Sequence, residues 1–338
     1  MGATLASCLS MVTRLENTEY AHVSGFNYQP SHASHGMEIW GTDFQPSLMR
    51  KELWIGKQHF PGMNTVRLWL SHDAYLRFPE RMPERVGEVL DMGADYDVEF
   101  IVTLFNGWHS YPDFGGLHPQ SLREWHDGTL FDEAFAPYVD AIVGEFADHD
   151  SVLAWDLCNE PLLSVQHQGV LEDLTVDRSL VIYQFLERVY ERIRTHDPVA
   201  PTTVGSIGTR THVEIFEPLA EVLSTHAYLA WNRAETPAEL HEKLDEIVAL
   251  ANDVEKPLLA TETGWGALDD QKRVEILDVV LAALDERDVG FTAHLLHHTP
   301  VADGHREAYG PIYDAGNLSF VDSDGSLRAG HDVFNEYC

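Results

Sequence analysis

Val152-Leu-Ala-Trp-Asp-Leu-Cys-Asn159-Glu160-Pro161 decides the fold of this chain. An apolar run of this length, closed by turn signals, has the pattern of a strand buried in a parallel sheet. Pro161 lacks a backbone donor and biases Glu160 toward extended geometry, so the strand should end there. A second run, Pro257-Leu-Leu-Ala-Thr-Glu262, followed by Thr263-Gly264-Trp265, has the same composition. Each run places a carboxylate at the carboxyl end of a strand, the edge at which α/β folds hold their chemistry.

Outward from these two runs, strand-like and helix-like segments alternate from His22 onward without a compositional break. The expected strands are His22–Tyr28, Asn64–Leu70, Glu99–Asn106, Val152–Cys158, Thr202–Gly205, Val222–Tyr228, Pro257–Glu262 and Gly290–His297. Amphipathic stretches lie near Leu48–Phe60, Glu84–Tyr96, Asp132–Ala147, Val176–Thr195, His212–Ala220, Pro237–Val254 and Asp269–Arg287, and a last helical piece follows His331. This alternation predicts an α/β protein built as a single (β/α)8 barrel, a TIM barrel, over residues 21–338 behind a flexible leader at 1–20. No G-x-G-x-x-G or Walker-type loop follows any strand, which removes the nucleotide-binding α/β folds. Two long connections, Gly107–Leu130 and Thr299–Ala329, leave the carboxyl ends of strands and should border the pocket.

The chain has 338 residues, 44% of them hydrophobic, enough for one large core. Its formal net charge of −33 argues against nucleic acid or an anionic membrane as partner. No apolar run approaches the ~18 residues that span a bilayer. Lysine occurs only at Lys51, Lys57, Lys243, Lys256 and Lys272, while Asp and Glu are abundant throughout, a balance suited to molar salt. Cys8, Cys158 and Cys338 form no disulfide framework and read as free thiols. Leu5-Ala-Ser-Cys8 has lipobox character but lacks preceding basic residues, so a cytoplasmic protein is expected. Asn317-Leu-Ser319 fits a glycosylation acceptor only by coincidence on that reading.

Two carboxylates converging across a barrel mouth suit glycoside hydrolysis, one protonating the leaving oxygen and one acting at the anomeric carbon. With them stand Asn159-Glu160-Pro161, Gly62-Met-Asn64-Thr-Val-Arg67 after the first helix, and Thr225-His226-Ala-Tyr228 in the sixth strand. In this order the motifs resemble clan A glycoside hydrolases, especially the cellulase-like family 5 group, from about Gly25 to the last strand. The resemblance implies a retaining β-glycosidase acting on a β-linked glucan, mannan or related oligosaccharide without a cofactor. It implies Glu160 as acid and then base, and Glu262 as nucleophile. Asn159 would bind the sugar 2-hydroxyl, Arg67 and Tyr228 would support Glu262, and His226 would stand near Glu160. Exo action is the expected mode, with an endo-acting cellulase or mannanase and a non-catalytic carbohydrate-binding barrel as alternatives. The resemblance says nothing of the oligomeric state.

The chain departs from that pattern at the eighth strand, where Gly290-Phe-Thr-Ala-His294-Leu-Leu-His297-His298 carries no tryptophan. His294, His297 or Trp265 would then form the wall under the sugar. Either Asn106 or His109 fills the polar position after the third strand. Trp108, Trp231 and Trp265 follow strand ends, where an aromatic face can stack on a sugar. Trp54, Trp69 and Trp155 lie within element patterns and are expected to pack. No metal is expected: His32-Ala-Ser-His35, and His297-His298 with His305, lack ligand spacing on a helix beside a carboxylate. Asp322-Ser-Asp324-Gly325 lacks the terminal glutamate of a calcium loop. The acid-rich surface makes one separate prediction. The thermal unfolding midpoint should rise between dilute and molar potassium chloride; a midpoint that stays level or falls contradicts salt adaptation.

Overall fold

The structure is a computed structural model that describes residues 12–107, 129–162, 178–229, 234–264, 266–267, 269–300 and 318–338. Among these, eight strands form one sheet: β1 (Ser24–Tyr28), β2 (Thr65–Trp69), β3 (Glu99–Asn106), β4 (Val152–Asn159), β5 (Thr202–Gly205), β6 (Leu223–Ala227), β7 (Leu258–Thr263) and β8 (Gly290–Ala293). Neighbours run parallel in the order β5-β4-β3-β2-β1-β8-β7-β6. The remaining seam, between β5 and β6, is bridged just past β5, where the His226 N–H donates to Ser206 O at 2.8 Å and Ile207 pairs with His226. The expected TIM barrel is the observed architecture.

The helices lie between strands: α1 (Pro46–His59), α2 (His72–Arg77), α3 (Arg81–Tyr96), α4 (131–144), α5 (Arg178–Arg194), α6 (Arg210–Phe216), α7 (Pro237–Asp253) and α8 (Asp270–Asp285). Several begin on a side chain that caps an orphan backbone donor: Ser71 for α2, Thr209 for α6, Thr236 for α7 and Asp269 for α8. The α2 turn was not expected, because its six residues are too short to show a helical period. Helix α4 is wound partly with wider i→i+5 turns, and His331–Glu336 is a 3₁₀ turn. Among the described residues, no helix is long and apolar enough to cross a membrane.

Two apolar layers hold the barrel. Outside the sheet, Phe26 packs on Phe60 at 4.7 Å and on Phe334 at 4.2 Å between ring centroids, joining β1 to α1 and the C-terminal turn. Inside, Val23, Ile101, Leu153, Ala154, Val222 and Leu259 form a separate cluster. These residues sit just before β1 and β6 or within the first three residues of β3, β4 and β7, so they meet along the barrel axis towards its amino-terminal end. Above this floor the interior turns polar, with Asn27, Arg67, Thr103 and Asp156 all buried.

The leader expected over 1–20 lies outside the described residues as far as 11. From there Thr13 N donates to Asp245 and Leu15 N to Arg287 O, against α7 and the end of α8. At the other face, the ends of β3 and β4 come close: Gly107 N donates to Asn159 O at 2.7 Å, and a Cβ on Gly107 would lie 2.4 Å from the Pro161 Cα. Only glycine fits, because both partners are backbone. Gly107→Ala should therefore lower stability by about 1–3 kcal/mol, the usual range for overpacking. Urea unfolding with an unchanged midpoint would contradict this close approach.

Candidate active site

The guanidinium of Arg67 carries five N–H donors, and the barrel supplies an acceptor for each. Nε and Nη2 donate to Asp156 Oδ2 at 3.1 and 2.6 Å, and Nη2 also to Asn159 Oδ1 at 2.9 Å. Nη1 donates to Asn27 Oδ1 at 3.0 Å and to Glu262 Oε2 at 2.9 Å. Arg67 thus joins β1, β2, β4 and β7 across the axis while itself 0% exposed. Burial alone would lower its pKa, but Asp156 and Glu262 outweigh that effect and keep the cation charged.

Glu262 ends up ionised. Burial raises its pKa, yet the charges of His226, His294 and Arg67, with the Tyr228 hydrogen bond, hold it well below the usual carboxylate range. Tyr228 OH donates to Glu262 Oε1 at 2.5 Å, so both carboxylate oxygens are held. The register of β6 against β7 sets His226 beside Glu262. The His226 Nδ1 lies 2.7 Å from Glu160 Oε1 and 4.0 Å from Glu262 Oε2. One oxygen of Glu160, one of Glu262 and a His226 nitrogen all lie within 4.8 Å of one another. The two carboxyl groups therefore face a common point.

Glu160 departs from the extended geometry expected before Pro161. Its φ is +44°, in the left-handed region. Glu160 N donates to Gly205 O at 2.7 Å, so pairing with β5 continues through this residue and outweighs the local bias of Pro161. Gly205 has its own spatial reason: a Cβ there would lie 2.7 Å from Arg67 Nη2 and 3.2 Å from His226 Nε2.

Of the residues singled out from sequence, the barrel brings together Glu160, Glu262, Arg67, Asn159, His226, Tyr228 and Asn106. Asn106 Oδ1 accepts from Asn159 Nδ2 at 3.1 Å. Trp108, His109, Trp231 and Trp265 lie outside the described residues. Among the wall candidates, His294 follows β8 and is one of the groups that lower the pKa of Glu262, while His297 lies 3.9 Å from Glu52 Oε1. Trp54, expected to pack, is 50% exposed, whereas Trp155 is fully buried. Trp69 is buried too, but beside the site: it donates to Asn27 Oδ1 at 3.3 Å with the Arg67 guanidinium 4.7 Å from its ring centroid.

Sequence reasoning missed Asn27 and Asp156. A charged or amide side chain inside a buried strand needs a polar partner, and that signal was available at both positions. Among the described residues, Glu160, His226 and Glu262 are also the one group with metal-ligand proximity. Arg67 already places a cation 2.9 Å from Glu262, which disfavours a metal there.

A family model described as Cellulase (glycosyl hydrolase family 5) matches residues 21–297. A probable mannan endo-1,4-beta-mannosidase F from Emericella nidulans is 22% identical over 154 residues, 43% of this chain and 32% of that protein. The corresponding protein of Neosartorya fischeri is 24% identical over 178 residues, 51% of this chain and 34% of that one. These matches span about a third of the curated relatives' length. Among solved structures, an exo-beta-1,4-mannosidase from Opitutaceae bacterium strain TAV5 superposes with a TM-score of 0.71 at 20% identity, over 93% of this chain and 58% of that one. An endo-1,4-beta-mannanase from Rhizomucor miehei gives 0.65 at 14% identity, over 93% of both chains.

The depressed pKa of Glu262 carries a stability signature. Its ionised form contributes stability that is complete above the unfolded value of about 4.3 and is lost as pH falls through the folded value. The unfolding free energy of the wild type minus that of Glu262→Gln should be level above that pH and fall below it. A difference that stays flat or rises on acidification, measured by urea unfolding, contradicts the assignment.

Proposed function

Because the chain belongs to glycosyl hydrolase family 5, we propose that it hydrolyses β-linked mannan, glucan or related oligosaccharides with retention of configuration. The observation that carries this reading is the approach of Glu160 and Glu262 to within 4.8 Å between carboxyl oxygens. Retaining enzymes hold their carboxyl groups ~5–5.5 Å apart, whereas inversion needs ~6.5–9.5 Å to admit a water.

Glu262, kept ionised by Arg67 and Tyr228, attacks the anomeric carbon as Glu160 gives its proton to the leaving oxygen. The glycosyl ester on Glu262 is then hydrolysed by water that Glu160 deprotonates, which returns both carboxyls to their starting states. His226, 2.7 Å from Glu160 Oε1, holds that carboxyl in place through both proton transfers. Asn159 uses its Oδ1 on Arg67 and one amide hydrogen on Asn106, which leaves the second amide hydrogen for a sugar hydroxyl. His294 forms the wall beside Glu262 where the family pattern has tryptophan. Trp108, His109, Trp231 and Trp265, which follow strand segments in the sequence, are the further candidates for substrate contact.

Within the class, relatives named as mannan endo-1,4-beta-mannosidases support β-mannosidic linkages as the first substrates to test. Exo action is supported by the length of the connections at 107–130 and 299–329, which follow β3 and β8 in the sequence. An end-blocked mannan cut internally, with a rapid fall in viscosity, contradicts that mode.

Aryl β-mannosides and β-glucosides followed by proton NMR should give the β-anomer as the first product. An α-anomer formed first would refute retention. Glu262→Gln should abolish turnover in a folded protein, and Glu160→Gln should lower kcat by about 10²–10⁴-fold on substrates with poor leaving groups. Activity near wild type in either variant contradicts its role.

A further inference from the structure

Asp156 lies in the middle of β4, 0% exposed, and does not point at the sugar site through any of its hydrogen bonds. Its Oδ2 accepts from Arg67 Nε, from Arg67 Nη2 and from Thr103 Oγ1 at 2.8 Å. Its Oδ1 accepts from Gly205 N at 2.9 Å. The carboxylate is therefore fixed from β3 and β5, the strands on either side, and spends its remaining capacity on two of the five donors of Arg67. Gly205 keeps the space beside Nη2 clear, since a side chain there would meet it at 2.7 Å.

A guanidinium is planar, so fixing Nε and Nη2 fixes the direction of Nη1 as well. We infer that Asp156 is a positioning residue: by holding two edges of Arg67 it sets the guanidinium plane so that an Nη1 hydrogen meets Glu262. It also shares the charge of Arg67, which would otherwise have Glu262 as its sole carboxylate partner among these bonds. Too strong a hold on Glu262 would blunt it as a nucleophile, and a misdirected one would let it turn. Asp156 thus acts on the reaction only through Arg67.

That dependence ties the effect of Asp156 to Arg67, and the split between kcat and KM then separates positioning from a purely structural pairing. With Arg67 present, Asp156→Asn removes the counterion of a buried cation. In an Arg67→Met background the same change removes a buried carboxylate that has lost its partner. Its effect on stability should therefore change sign or vanish between the two backgrounds.

The inference rests on the proposed glycosidase reading, and the experiment has two arms so that the failures are distinguishable. In the first, urea unfolding of wild type, Asp156→Asn, Arg67→Met and the double variant should show the midpoint lowered by Asp156→Asn alone. In the Arg67→Met background the midpoint should be unchanged or raised. Equal losses in both backgrounds overturn the inference. In the second, 2,4-dinitrophenyl β-mannoside is the probe. Asp156→Asn should lower kcat at least tenfold with KM within twofold, and Thr103→Val, isosteric and less disruptive, should lower kcat a few-fold in the same manner. A loss taken in KM, or unchanged kcat in the folded variants, overturns it. A wild type inactive on aryl glycosides refutes the functional reading and with it any role of Asp156 in the reaction, while the unfolding arm separately upholds or overturns its hold on Arg67.

Discussion

A positive charge sealed inside a barrel is tolerable only where every hydrogen it carries finds an acceptor, and Arg67 is the residue that sets this condition. Its five donors reach Asp156, Asn159, Asn27 and Glu262, which come from three other strands. None of these four side chains is adjacent to another in sequence. Closure of the sheet brings the three strands that carry them to one point. The apolar floor beneath them keeps the cation from hydration through the amino-terminal end, and Gly205 keeps its flank open. Breaking a buried pair of this kind commonly costs about 3–5 kcal/mol, because the partner is left charged and dry. The same bonds that make Arg67 tolerable also fix Glu262.

The two glutamates differ because their surroundings differ. Glu262 is held at both oxygens, by a cation and by a phenol, and its ionised state is favoured. Glu160 faces His226 and sits on a left-handed turn anchored by Gly205 O. An ionised nucleophile and a carboxyl coupled to an imidazole are the division of labour that acid-assisted displacement needs. Distance and environment thus support the same mechanism independently.

Much of the barrel was legible because parallel strands buried on both faces read as short apolar runs, and β3 and β5 match their expected bounds residue for residue. The carboxyl end of β8 was less so: Leu295 and Leu296 continue the apolar pattern past the strand, where Leu295 N bonds to Leu318 O and Leu296 N reaches Asn27 O of β1. Periodicity reports burial, and burial outlasts the strand. The candidate site was legible where a polar residue closed an apolar run, as with Asn159, Glu160 and Glu262. It was not legible at Asp156 and Asn27, which sit inside apolar runs and show their purpose only when the barrel closes. Trp69 was assigned to packing for the same reason, and its neighbours Arg67 and Asn27 became apparent only in three dimensions.

The central claim, that Glu262 bonds to the sugar while Glu160 serves it with protons, is tested most directly by trapping the glycosyl-enzyme. Incubation with 2,4-dinitrophenyl 2-deoxy-2-fluoro-β-mannoside or its glucosyl counterpart, followed by peptide mass mapping, should place one fluorosugar on Glu262. A label on Glu160 or elsewhere, or an active enzyme that accumulates no label while the probe is consumed, would contradict the account.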